Sequence, residues 1–344
     1  MHKNNFDFLR LVFATLVLIT HSYALSGYAE NDFLARLTSG QLNCSSLGVK
    51  GFFVISGFLI FQSVLRSKNL GDYFIKRILR IYPAYIVVTI IAILLGAVIS
   101  HLSPSLYFRD HSVWSYLGNN LAMFLPLHYQ IDNVFSTNPY KYAINGSIWT
   151  IPYEFLFYII LAFAFILRKN KRLLTILLLL GYVILFLLTI RYENHPDLYI
   201  PKDTFEVHLL AHFALLFFGG AALAAVNIHK LKLKTPLFIL SCLLCIVFLI
   251  TKTFYFTQFL ILPLVIVFAG SYSTKGICGV NKKMGDFSYG IYLYGFIVQQ
   301  TLMYYFKFNH LQLMFVSIPV TFIFGALSWF IVEKRALELK KYFP

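Results

Sequence analysis

The sequence predicts an all-α integral membrane protein, a bundle of about ten transmembrane helices with both termini in the cytoplasm. Three observations predict it. Mean hydropathy is +0.72 and only 12% of the 344 residues are charged, where a soluble domain carries roughly 25%. Apolar runs long enough to cross about 30 Å of hydrocarbon recur along the whole chain. The basic residues sit in short loops between those runs, which is the pattern of membrane orientation. The same placement argues against nucleic acid as the partner of a chain whose formal net charge is +15, because no soluble domain presents a basic face.

The runs fall at about 7–25, 47–65, 80–100, 148–168, 172–191, 207–226, 236–251, 256–271, 287–306 and 312–332. The first contains Arg10 and His21 and is not followed by a small-residue cleavage site. It is therefore expected to stay in the mature protein rather than be removed as a signal. The seventh and eighth are short, and Pro263 interrupts the eighth. No polar stretch is long enough to fold alone, so residues 1–344 are read as one membrane-embedded domain. Of the 29 Lys and Arg, 21 fall on the side of the two termini and 7 on the other, with Lys50 at a boundary. That bias places both termini inside and favours an even number of spans.

The longest loop, about 101–147, is then outside. It contains Trp114, Tyr116 and an apolar run from Leu121 to Leu127 that is too short to span and suits an interfacial or re-entrant segment. A second outer loop, 191–206, carries Glu193, Asp197, Asp203 and Glu206. Acidic and aromatic outer loops suit a sugar-like substrate, and equally an ordinary solvated surface. Cys242 and Cys245 lie inside an apolar run without further ligands and read as packing residues; Cys44 and Cys278 are isolated, so there is no disulfide framework.

Ionisable groups inside spans are expensive, and each is a candidate for function. Arg10 and His21 are three helical turns apart on one face of the first span, separated by about 16 Å. Arg10 also reads as a positive-inside anchor, and His21 as an interhelical hydrogen-bond donor. Glu154 lies about 9 Å into the fourth span from its outer end, and His21 about 6 Å into the first, so the two can meet at one level. A carboxylate beside an imidazole would fix its tautomer and raise its basicity. Arg77 and Arg80, in KRILRIYP, share a helical face, and two guanidiniums at that spacing can grip phosphate oxygens; a plain positive-inside cluster has the same spacing. His208 and His212 are an i, i+4 pair without a visible third ligand, so no metal is expected. Gly51, Gly57, Gly219 and Gly220 suit close helix approach. Ser56 and Ser147 lack the elbow sequence of a serine hydrolase.

In order along the chain, FDFLRLVFATLVLITHSY, GVKGFFVISGFLI, YFIKRILRIYPAY, SIWTIPYEFLFY, GDFSYGIYLYGFIVQQ and WFIVEKRALELKK resemble the motifs of membrane acyltransferase family 3, whose members O-acylate bacterial surface polysaccharides and related glycans. The resemblance covers nearly the whole chain. It implies a multi-pass acyltransferase of the bacterial inner membrane. The donor it implies is acyl-CoA, usually acetyl-CoA, and the acceptor a hydroxyl on a glycan or lipid-linked saccharide. His21 and Glu154 would be catalytic, and Arg10, Arg77 and Arg80 would hold the donor. Gly295 stands where many members have a His, so no role for a His there carries over. The chain ends soon after its last run, so no appended esterase-like domain is expected. A proton-coupled transporter of a glycan or small solute is the rival reading, since the same polar groups could line a solute path.

Overall fold

The computed structural model describes residues 4–123, 127–193, 206–279 and 285–343. Among them the structure is helical, with one isolated bridge between Gln130 and Ala143 and no strand. Ten helices coincide with the predicted runs: α1 Phe6–Leu25, α2 Cys44–Arg66, α3 Leu70–Ile99, α4 Ile151–Ala162, α5 Lys171–Glu193, α6 Val207–Ala225, α7 Lys234–Ile250, α8 Phe254–Ser271, α9 Ser288–Phe306 and α10 His310–Ser328. Eight segments are long and apolar enough to cross a membrane, and the chain is a multi-pass membrane protein. Helix α7, with 17 residues, is shorter than those eight. Helix α9 is diluted by Tyr, Gly and Gln and is not among them.

Three boundaries differ from the sequence reading. Helix α3 starts ten residues before the predicted span, so Arg77 and Arg80 lie inside it, followed by Pro83. The fourth segment opens with a 3-10 turn, Gly146–Thr150, capped by the Asn145 side chain. Pro152 then sits in the first turn of α4, where its missing N–H costs nothing. Helix α10 passes into a π turn, Trp329–Glu333, before a last helical stretch, Lys334–Glu338. Of the loop segments singled out, 124–126, 194–205 and 280–284 lie outside the described residues, and with them Asp197, Asp203, Lys202, Lys282 and Lys283.

The chain forms two compact units. The first comprises Met1–Phe13, Leu47–Phe74 and Tyr153–Lys283. Here α2 and α6 touch backbone to backbone. A Cβ on Gly57 would lie 1.8 Å from the Phe217 carbonyl oxygen, and one on Gly220 would lie 2.2 Å from that of Val54. Only glycine permits this approach. Around it Phe53 stacks on Phe213 at 4.3 Å between centroids, and Phe6 packs on Phe58 at 5.0 Å. Helix α5 is apolar all round yet only 11% buried, a surface that calls for lipid.

The second unit comprises Ala14–Ser46, Ile75–Pro152 and Met284–Pro344. Its centre is α9, most of which is buried. Gly290 of α9 meets Gly325 of α10, where an added Cβ would come within 2.9 Å of the Gly325 Cα. Within the long 101–147 segment some described residues pack inward. Ile131, Val134, Phe135 and Ile144 are buried. The Gln300 amide of α9 donates to the carbonyls of Tyr140 and Ala143, and Asn138 donates back to the Gln300 backbone and side-chain oxygens, all at 2.7–2.9 Å.

Candidate active site

Arg10 and Glu154 belong to the first unit, and His21, Arg77 and Arg80 to the second. Each is described within its own unit.

His21 lies four residues before the end of α1. Its ring meets the edge of Phe296 on α9, with centroids 5.5 Å apart and planes at 83°. Its Nδ1 is buried and has no hydrogen-bond partner among the described residues. The ring as a whole is only partly buried. An unpartnered buried nitrogen costs about 1–3 kcal/mol, a cost that sites of chemistry tolerate more readily than plain cores do. The helix face beneath it is fixed by Gln299, whose amide donates to the Leu18 carbonyl at 2.9 Å, to Ser22 Oγ at 2.8 Å and to Ser317 Oγ at 3.1 Å. One side chain thus ties α1, α9 and α10 together. Gly295 is adjacent in this packing: a Cβ there would lie 2.2 Å from Leu18 Cδ2. The Leu18 side chain fills the space next to the Gly295 Cα.

The SIW turn packs on α9 as well. Asn145 donates to the Leu293 carbonyl at 3.0 Å, and Thr150 and Tyr292 share a 2.6 Å hydroxyl pair. A Cβ on Gly146 would strike the Phe296 ring at 2.6 Å. Ser147 is buried, and its Oγ has no hydrogen-bond partner among the described residues.

Arg80 occupies a pocket of opposite charge. It donates to Asp286 at 2.5 Å and to Glu333 at 3.2 Å, and its guanidinium lies 5.6 Å from the Tyr289 ring and 5.9 Å from the Trp329 ring. Glu333 is buried, accepts a hydrogen bond from Ser328 at 2.9 Å and is turned inward by the π turn. Such turns recur at functional sites. Arg77 lies one turn before Arg80 on the same helix. Asp286 and Glu333 were not singled out from sequence, although both stand in motifs quoted above. The available clue was a buried carboxylate within an otherwise apolar run.

In the first unit, Glu154 sits in the first turn of α4. It accepts hydrogen bonds from Ser56 Oγ at 2.5 Å and from the Tyr158 hydroxyl one turn on. Ser56 and Tyr158 are the partners that the sequence reading missed. Arg10 lies near the start of α1.

A multi-pass helical protein with a half-buried imidazole and charge networks inside its helices has the makings of a membrane-embedded enzyme. Residues 3–333 match the acyltransferase domain family, so the chain belongs to that family and is an acyltransferase. Among similar proteins, an O-acetyl transferase of Shigella phage Sf6 is 32% identical over 349 residues, covering 98% of this chain and 97% of the relative. Nodulation protein 10 of Rhizobium leguminosarum bv. viciae is 28% identical over 364 residues, covering 98% and 94%. No solved structure matches the chain.

Proposed function

We propose that this protein is an O-acetyltransferase of the bacterial inner membrane. It moves an acetyl group from cytoplasmic acetyl-CoA to a hydroxyl of a cell-surface polysaccharide or its lipid-linked precursor. The observation that carries the reading is His21, a partly accessible imidazole whose buried Nδ1 has no hydrogen-bond partner among the described residues. An imidazole has an unperturbed pKa of about 6.5 and accepts a proton readily near neutral pH. His21 takes the proton of the acceptor hydroxyl as its oxygen attacks the thioester carbonyl. The C–S bond breaks, the C–O ester bond forms, and the proton returns to the CoA thiolate. Glu154, with its hydroxyl donors Ser56 and Tyr158, is the second catalytic residue of this reading.

Arg10, Arg77 and Arg80 supply positive charge for the donor's phosphates. The Arg80 fork already meets two carboxylates, so Arg80 positions the helix end from which Arg77 reaches the phosphate. Ten spans with both termini cytoplasmic put these arginines on the donor side. The 32% identity to the phage O-acetyl transferase supports acetyl as the group and oxygen as its destination.

The test is transfer of labelled acetyl from acetyl-CoA to polysaccharide by purified protein. His21→Ala and His21→Gln proteins of verified fold should transfer about 10²–10⁴-fold more slowly. Near-normal transfer by both would remove His21 from the chemistry. Solute movement without CoA release would instead favour a transporter.

A further inference from the structure

We propose that Glu193, His208 and His212 form a divalent transition-metal site of the zinc type, separate from the acyl-transfer residues. All three lie in the first unit. His208 and His212 are one turn apart on α6, and their ring centroids are 4.0 Å apart. The sequence offered this pair without a third ligand, and the fold supplies it. Glu193, the last residue of α5, brings one oxygen, Oε1, to 2.8 Å from His208 Nε2 and 2.9 Å from His212 Nε2. Two imidazole nitrogens thus converge on a single carboxylate oxygen. The three candidate ligand atoms all lie within 4.8 Å of one another.

This donor set is chemically specific. Two histidines at i, i+4 on one helix with a carboxylate from a neighbouring element is a recognised zinc arrangement. Metal–ligand bonds of about 2.0–2.2 Å at tetrahedral angles separate the ligands by about 3.3–3.6 Å. The observed 2.8–2.9 Å spacings need widen by about half an ångström to reach that separation. The carboxylate's outer oxygen is already held: the Tyr255 hydroxyl of α8 donates to Glu193 Oε2 at 2.7 Å. An orienting hydrogen bond of this kind accompanies metal ligands and tunes their affinity. His212 is 11% and Glu193 16% exposed at the side chain, whereas His208 is 34% exposed. One side is therefore open for entry and for a water as fourth ligand. Soft thiolates are missing from the set, and two nitrogens with one oxygen favour zinc, cobalt or nickel over magnesium or calcium. A bound ion would clip α5 to α6 where the two helices end and begin.

The experiment uses the full-length protein in detergent, stripped with chelator and titrated with Co²⁺. Visible absorption reports tetrahedral coordination, and zinc retained after dialysis is counted by mass spectrometry. Wild type should take up one equivalent per chain. Glu193→Ala and the His208→Ala/His212→Ala pair should take up none. His212→Gln keeps a hydrogen-bond donor for Glu193 but no imidazole, so it should remain folded and still lose the cobalt spectrum. Tyr255→Phe should weaken binding about 10–100-fold. Binding by the double variant or by His212→Gln equal to wild type, or no binding by any protein, would overturn the proposal. Neither outcome depends on acyl transfer.

Discussion

Replacing Arg80 with Ala removes one guanidinium from two carboxylates at once. Glu333 is only 1% exposed, Asp286 14% and Arg80 itself 19% at the side chain. Removing one member of a fully buried ion pair costs about 3–5 kcal/mol, because the charge left behind has no compensation. The partial exposure of Arg80 and Asp286 lets some solvent in and argues for the lower end, about 3 kcal/mol. Arg80→Ala should therefore lower the thermal midpoint in detergent, read as the monodisperse fraction surviving a heat step. Arg80→Lys keeps the charge without the planar fork that reaches both carboxylates and should fall between. Adding Glu333→Gln to Arg80→Ala removes the more deeply buried of the two carboxylate charges and should recover part of the loss, a coupling that a double-mutant cycle measures. An Arg80→Ala protein that melts with wild type would refute this reasoning. If it also bound CoA weakly, Arg80 would be a direct donor ligand instead.

Three further perturbations follow from particular contacts. Gly57→Ala forces a methyl to within 1.8 Å of the Phe217 carbonyl; α2 and α6 must part by over about 1 Å, at a cost of about 3 kcal/mol, and an unchanged melting midpoint would contradict the contact. Glu154→Gln should abolish most transfer with little loss of stability, and Ser56→Ala should lower transfer less; equal transfer in wild type and Glu154→Gln would remove the carboxylate from the mechanism. Asp32 is fully buried between α1 and α2. Burial opposes its ionisation, but hydrogen bonds from the Thr20 hydroxyl and the Ala35 and Cys44 amides outweigh that and hold its carboxyl below the usual range. Its contribution is fully present above the ordinary carboxylate pKa of about 3.9 and is lost as pH falls through the lower folded value. Asp32→Asn should cost about 2–3 kcal/mol at neutral pH and flatten the acid limb of a pH–stability profile; an unchanged limb would count against it.

The helices were legible because lipid imposes one strong requirement. Every backbone group must be satisfied within its own segment, so a spanning helix is written as a continuous apolar run. The runs therefore locate α1 to α10 to within a few residues, with two instructive exceptions. The apolar run starts ten residues after α3 does because KRILR is basic and breaks the run, although its residues, one helical face by their spacing, lie within the continuous helix. The π turn at Trp329–Glu333 was invisible, since it is a choice among hydrogen-bond registers rather than a change of composition.

The candidate site divides along the same line. His21, Glu154, Arg77 and Arg80 could be found one at a time, because an ionisable residue in an apolar run stands out against its neighbours. Their partners could not, because partnership is set by packing between distant segments. Arg80 meets Asp286 and Glu333 across 206 and 253 residues, and Glu154 meets Ser56 across 98. Gly295 shows the limit most clearly. The departure from the family pattern was visible in the letters, but the Leu18 side chain that fills the space next to the Gly295 Cα was not. The close fit of α1 against α9 in turn sets where His21 stands. A Gly295→Ala change would meet only the terminal Cδ2 of Leu18, which can turn aside, so a melting midpoint close to wild type is expected, and a large drop would show that Leu18 has no alternative rotamer.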